Sequence, residues 1–297
     1  MAIQNSPVRG VMTAADFMSP TELLAYAQRL ESLGYPELWL TDMFGREIYV
    51  TAGFVLANTS RIKVATGIAH IYGRDAIASE QAGRTLSELS GGRFIQGLGV
   101  SHPIAATMRG VPWEDPVEKT RAYIAAMRGE VPLQPRAAVP KVPIYLAANG
   151  PKMMAVAAEL ADGANTYMQP PERTAEARAT LGPDKALNVV LPCCLTTDPA
   201  LGRAAGRRAL SISLPLAAYQ RRGRATGFTE EDWSDGGSDR LVDSCFTWGD
   251  LDTIMSRMRA HIDAGATAIE IGAGPADPDA RGPAWDLLEA VAPGDSV

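Results

Sequence analysis

The chain has 297 residues, 46% hydrophobic and 21% charged, which supplies a sizeable core and excludes an intrinsically disordered protein. A formal net charge of −6 and an isoelectric point near 5.2 argue against a general nucleic-acid partner and favour small-molecule chemistry, leaving room only for a local basic pocket. Three cysteines, two of them adjacent at Cys193 and Cys194, make neither a disulfide framework nor a CxxC zinc pattern, so no metal site is expected and a reducing cytoplasm fits. No apolar run reaches the ~18 residues of a membrane span, and residues 1–10 lack a charged-then-apolar export signal, so neither membrane insertion nor secretion by that route is expected.

Short apolar runs alternate with amphipathic stretches from the start. Residues 7–12 read as a strand, 21–33 as a helix and 37–40 as a strand, a βαβ unit with capping residues at Ser19, Pro20, Thr21 and Glu22 and a stop at Gly34. A helix over 48–57, a strand over 62–68, a helix over 76–89 and a strand over 93–98 continue the rhythm. Gly91 and Gly92 suit a left-handed helix end, while Gly97 and Gly99 permit close approach where the fourth strand stops. Residues 100–118, with Pro103, Gly110, Pro112 and Pro116, read as an inserted loop leading to a helix that ends near Arg128.

The proline-bearing tract 131–142 reads as an extended connector rather than a domain boundary. Beyond it come a strand over 143–147, a helix over 151–161, a strand over 164–167, a helix over 171–181 and a strand over 187–195. A helix from Pro199, a polar glycine-rich insertion over 220–240, a helix over 251–264 and a last strand over 268–271 complete the chain. Eight strands in regular α/β alternation predict one domain over 1–297, a (β/α)8 TIM barrel with insertions at the C-terminal face of the strands. In such barrels that face carries the active site.

Residues at the predicted strand ends are the candidates for chemistry. Only three histidines exist; His70 and His102 follow the third and fourth strands and are the candidates for proton work, whereas His261 lies on a late helix with no site signal. A backbone-bonded structural role for His70 and a solvent-facing loop position for His102 are the competing readings. After the fifth strand, Asn149 and Gly150 open a helix whose N-terminal N–H groups attract anions, and Asn165, Thr166 and Tyr167 end the sixth strand nearby. A plain helix cap accounts equally for Asn149. Arg221, Arg222 and Arg224, followed by Glu230, Glu231 and Asp232, read as a solvated charged face or as a lid whose arginines meet phosphate. Gly97-Leu98-Gly99 is not a dinucleotide fingerprint, because no third glycine follows at the required spacing.

Four segments, 33–39, 61–68, 90–102 and 159–164, together resemble the luciferase-like monooxygenase superfamily of flavin and deazaflavin oxidoreductases. Thr66-Gly67-Ile68, Gly99-Val100-Ser101-His102-Pro103, Gly150-Pro151-Lys152-Met153 and residues 236–243 look like a mycobacterial-type subgroup linked to the deazaflavin coenzyme F420, with FMN the alternative cofactor. The resemblance implies that the third strand ends in a bulge, often with a non-proline cis peptide, supporting the ring at Gly67, Ile68 and Ala69 beside Thr66. It further implies that Gly99, Val100 and Ser101 border the ring, that Asn149, Gly150 and Tyr167 hold the cofactor tail, and that Asp42 approaches ring or substrate. An N-cap role before the next helix is the other reading of Asp42.

Sugar-phosphate dehydrogenases of the superfamily carry a histidine where this chain has Met43 and a glutamate where it has Val100. Both departures point to a less polar substrate than a sugar phosphate. Three functions follow: hydride transfer between F420 and an organic substrate; an FMN-dependent monooxygenase fed by a separate reductase; or a barrel that binds cofactor without catalysis. The resemblance also implies a homodimer, with the apolar helix over 48–57 at its interface.

Overall fold

A computed structural model describes residues 8–129 and 140–293. Its strands are β1 (Val8–Thr13), β2 (Glu37–Leu40), β3 (Lys63–Thr66), β4 (Ala69–His70), β5 (Phe94–Gly99), β6 (Ile144–Ala147), β7 (Gly163–Tyr167), β8 (Ala186–Leu195), β9 (Thr247–Gly249) and β10 (Ala268–Ala273). Its helices are α1 (Pro20–Ser32), α2 (Ile48–Ala57), α3 (Ala76–Ser90), α4 (Pro103–Met108), α5 (Pro116–Arg128), α6 (Pro151–Leu160), α7 (Pro171–Leu181), α8 (Pro199–Leu210), α9 (Ala217–Arg224), α10 (Asp239–Cys245), α11 (Leu251–Asp263) and α12 (Trp285–Ala290). β1, β2, β3, β5, β6, β7, β8 and β10 pair in parallel in that order, and β10 pairs with both β8 and β1, so the sheet closes as a TIM barrel.

Local chemistry sets the helix ends. Ser19 and Glu22 form a reciprocal capping box at α1, with the Glu22 N–H donating to Ser19 Oγ at 3.2 Å and the Ser19 N–H donating to Glu22 Oε2 at 2.7 Å; such a cap is worth about 1 kcal/mol. Asp75 caps α3, and Gly91, at φ 66°, ends it in the left-handed conformation. Outward-facing apolar residues of the strands, such as Val11, Leu38, Val64, Phe94 and Leu146, pack against the buried faces of the surrounding helices.

Several elements differ from the sequence reading. The strand expected over 62–68 stops at Thr66 as β3, and the short β4 follows just beyond the expected end. The loop expected over 100–118 contains α4, and the insertion over 220–240 is largely helical, with most of α9, a 3-10 turn over Glu230–Trp233 and the start of α10. It is held by its own apolar cluster, in which Leu214, Tyr219, Leu241, Val242 and Phe246 pack with Met168 and Cys194. β9, which extends the sheet beside the end of β8, and α12 carry signals too short to read from periodicity. Of the connector over 131–142, residues 131–139 lie outside the described residues.

The barrel interior is unusually polar for a packed core. Met12, Trp39, Ala65, Ile95 and Tyr145 form one apolar patch. Glu37, Asn165, Asn188 and Glu270 are also buried there, on strand positions that alternate with the outward-facing core residues. The Trp39 indole N–H donates to Glu37 Oε2 at 3.0 Å, while neither carboxyl oxygen of Glu270 has a partner. Glu270 lies against Gly10, its register partner on β1; a Cβ at Gly10 would sit 2.0 Å from Glu270 Oε2.

Candidate active site

The C-terminal ends of the strands form a mouth whose most distinctive wall is the break in the third barrel strand. Ala65 pairs with Ile95, and the next pairing joins Ala69 to Leu98, four steps on one strand against three on the other. That difference is a one-residue bulge, a feature that re-aims a strand end. The Gly67–Ile68 peptide within it is cis. The Thr66 hydroxyl donates to the Gly97 carbonyl at 2.7 Å, and the Gly67 N–H donates to the Leu40 carbonyl at 2.6 Å, fixing the bulge to both neighbouring strands.

Gly97 serves that bulge directly. A Cβ there would lie 1.9 Å from the Thr66 carbonyl oxygen, so the space cleared by this glycine is filled by the chain's own backbone. Gly99, two residues nearer the mouth, would bring a Cβ within 2.9 Å of Ile68 Cδ1 and 3.0 Å of Ala147 Cβ. The result is a close-packed floor of small and aliphatic side chains.

Asp42 does not cap the following helix; Glu47 takes that role by accepting from the Val50 N–H at 2.7 Å. The Asp42 carboxylate instead accepts from the His70 backbone N–H at 3.0 Å and from Arg74 Nη1 at 3.2 Å. Arg74 continues to Glu47 at 2.7 Å. Asp42 therefore ties the second strand end to the segment just past the bulge, a contact across 28 residues of chain that no local pattern encodes.

His70 is buried, and its Nδ1 has no hydrogen-bond partner. Burial pushes its pKa down to about 4, with the Arg109, Arg74 and His102 charges acting in the same direction and Asp42 opposing them. His102 occupies the N-cap position of α4 without a side-chain cap bond, and burial lowers its pKa as well. Its ring lies 5.7 Å from that of Tyr219, which in turn lies 6.2 Å from Tyr167 edge-on. These rings line one side of the mouth. Ser101, at φ 60°, and Met168, at φ 53°, hold left-handed conformations directly after β5 and β7, a local strain of the kind that collects at functional sites.

On the β6 and β7 side, Asn149 is neither a helix cap nor a free ligand group. Its Oδ1 accepts from the Tyr167 N–H at 2.8 Å, and Gly150 takes the N-cap position of α6 with open space where a side chain would be. Neither α6 nor α7 begins with a side-chain cap, whereas the helices after β1, β2, β4 and β8 have Ser19, Glu47, Asp75 and Asp198. The uncapped N–H groups leave an anion-receptive rim there.

Other residues expected at the site lie away from it. Asn165 points into the barrel with its amide unpartnered, and the Thr166 hydroxyl is buried, donating to the Asn188 carbonyl at 3.2 Å. Two of the three arginines read as a lid are engaged within the chain: Arg224 pairs with Glu230, and Arg222 donates to the carbonyls of Asn149, Tyr167 and Met168 at 3.4, 3.0 and 2.7 Å, while Arg221 is exposed. Arg222 braces the mouth from behind. Arg109, which reaches the rim from the end of α4, carries no sequence signal, because its approach to His70 depends on how two loops fold together. Among the described residues no group of three or more His, Cys, Asp or Glu side chains is arranged to hold a metal, and no helix is long and apolar enough to cross a membrane.

A closed α/β barrel with a bulged strand beneath its mouth is the architecture on which the site is built. The chain belongs to the luciferase-like monooxygenase family, whose sequence model matches residues 2–268. It is 34% identical over 154 residues to a 5,10-methylenetetrahydromethanopterin reductase of Methanolobus tindarius, covering 46% of this chain and 47% of that protein. That match spans about half the length of the curated relative. A second reductase of that description, from Archaeoglobus fulgidus, is 25% identical over 88% of this chain and 91% of its own. Among solved structures, the coenzyme F420 dependent tetrahydromethanopterin reductase of Methanopyrus kandleri superposes with a TM-score of 0.74 at 18% identity, covering 98% of both chains. The FMN-bound oxygenating component of 3,6-diketocamphane monooxygenase from Pseudomonas putida superposes with a TM-score of 0.71 at 15% identity over 97% of both.

Proposed function

We propose that this protein is a coenzyme F420-dependent oxidoreductase that moves a hydride between the deazaflavin and an organic substrate. The observation that carries the reading is the pairing of two unlike surfaces at one mouth: an aliphatic floor built by the bulge, and an anion-receptive rim at the open ends of α6 and α7. A planar tricyclic ring with a phosphate-bearing tail needs both. Similarity to a putative coenzyme F420-dependent oxidoreductase of Mycobacterium tuberculosis, 30% identical over 48% of this chain and 49% of that protein, supports the same cofactor.

In this reading Gly67, Ile68 and Ala69 support the ring, Thr66 locks that support to β5, and Gly99, Val100 and Ser101 border it. Gly150 and Tyr167 stand at the tail, with Asn149 holding Tyr167 in place. When bound, the deazaflavin supplies the carbon that gives or takes the hydride, so the protein's work is to bind, orient and exclude water. His70 and His102, both held neutral at pH 7 by burial, fit a role in contacting polar atoms rather than in carrying a standing charge. Met43 and Val100 provide no acid or base, which directs the reading away from a sugar phosphate. A second copy of the chain packs on α2, where Val50 and Phe54 are exposed; a monomeric mass in sedimentation would overturn that assembly.

Equilibrium binding of F420 and of FMN, each followed by fluorescence, tests the cofactor. Micromolar or tighter F420 binding, with hydride exchange to at least one member of a substrate panel, is the expected result. Tight FMN binding with no affinity for F420 would replace the reading with an FMN-dependent monooxygenase, and cofactor binding without any turnover would leave a non-catalytic barrel.

A further inference from the structure

We propose that Arg109 and His70 form an oxyanion subsite at the rim of the mouth that takes a carboxylate of the substrate, an inference that rests on reading this mouth as the reaction site. His70 is only 8% exposed, yet its Nδ1 has no partner. Arg109 Nε is likewise buried without a partner, and among the described residues the Arg109 guanidinium has no hydrogen bond and no ion pair. Both groups flank the same two features: the Phe44 ring, 6.5 Å from the His70 ring and 5.1 Å from the Arg109 guanidinium, and the turn after β4, where a Cβ at Gly73 would lie 3.2 Å from the His70 backbone carbonyl and 3.3 Å from Arg109 Cζ.

Among the neighbouring charges Asp42 and Glu47 share Arg74, and Lys119 pairs with Glu114, whereas among the described residues Arg109 makes no ion pair. An unpaired, partly buried guanidinium is costly and calls for an anion, which its planar fork binds in a bidentate manner. One cation beside a neutral imidazole balances a single negative charge, which favours a carboxylate over a phosphate dianion. In its Nδ1–H form the imidazole adds a second donor.

The surroundings suit a small organic acid. A groove of about 370 Å³ lies along the same turn, lined by Tyr72, Gly73, the cations Arg74 and Lys119 and the carboxylates Asp75 and Glu114, within the range of small-molecule sites. Apolar walls come from Phe44, 54% exposed with its ring 5.1 Å from the Arg109 guanidinium, and from Tyr72 stacked on Trp113 at 5.3 Å.

Binding of benzoate and hexanoate, compared with benzamide and hexanamide, tests the subsite by titration calorimetry and by NMR of the His70 imidazole, on the full chain without added cofactor. The expected result is a carboxylate preference of tenfold or more, lost in Arg109→Gln and retained in Arg109→Lys, with the His70 resonance titrating at higher pH when the acid is bound. The charges facing His70 in that titration are Asp42, Arg74, Arg109 and His102. Equal binding of acids and amides, or a preference that survives Arg109→Gln, overturns the proposal. F420 binding measured on the same protein separates the two readings: F420 bound without carboxylate preference removes the subsite alone. A carboxylate preference without F420 binding upholds the subsite and removes the cofactor assignment.

Discussion

Two sets of buried polar atoms without partners, one inside the barrel and one at its rim, have different surroundings. Inside the barrel, Glu270 is fully enclosed; its carboxyl faces Gly10 and shares the interior with Glu37, Asn165 and Asn188. Burial, and then the Glu37 charge, pushes its pKa well above the usual carboxylate range. Such a group resolves its desolvation by keeping a proton. At the rim, His70 and Arg109 lie against Gly73, which lines a groove, and Arg109 cannot lose its charge. The enclosed group is answered by protonation and the rim pair by a ligand, although both are polar, buried and unpartnered.

A substitution at Gly10 strains the enclosed side of this contrast most severely. Gly10→Ala drives a methyl into Glu270 Oε2, and a destabilisation of about 3 kcal/mol is expected from overpacking a closed interior. The double variant Gly10→Ala/Glu270→Ala should recover much of it, read as denaturation midpoints in a double-mutant cycle. Additive losses would show that the two residues do not share this space.

Opposite pH dependences sharpen the contrast. Glu270 has a raised folded-state pKa, so its contribution to stability is full below about 4.5 and is lost as pH rises toward the folded value. His70 has a lowered one, so its contribution is present above its ordinary 6.5 and is lost as pH falls through about 4. Glu270→Gln should therefore gain on the parent at pH 8, by roughly 1–3 kcal/mol, and lose that advantage near pH 4.5. His70→Asn should gain on the parent only on acidification, by about 2 kcal/mol between pH 7 and pH 4. Thermal melts across roughly pH 4–8 check both, and parallel curves for parent and variants would refute the assignment.

The smallest effect is expected at Ser101. Its φ of 60° suits glycine, so Ser101→Gly should stabilise the fold by up to about 1 kcal/mol while weakening the β5 border of the mouth. A rise in melting temperature with looser F420 binding is the expected combination. Unchanged stability would mean that the left-handed turn carries no strain.

Much of the barrel was legible in the chain because its determinants are local. Ser19 and Glu22 sit three residues apart and cap α1, Asp75 and Gly91 bracket α3, and the apolar runs of all eight barrel strands fall where the strands lie. The bulge at Gly67 and Ile68 was expected from the family resemblance alone, since the residues themselves read as one strand over 62–68. What those residues touch was another matter. Asn149, read as a contact to the cofactor tail or a cap, braces Tyr167; Arg222, read as a solvated charge or a lid group, is a strut; and Asp42, read as facing ring or substrate or as a cap, binds the His70 N–H and Arg74.

The chain by itself determined the alternation of strands and helices, their ends and the strand termini from which a site had to be built, because hydrophobic period, capping and turn chemistry act over a few residues. The tertiary structure alone decided that Thr66 fills the gap left by Gly97, that Glu270 fills the one left by Gly10, and that Arg109 meets His70. Those meetings join residues far apart in sequence, and they depend on barrel closure, strand register and loop packing, which no local spacing specifies.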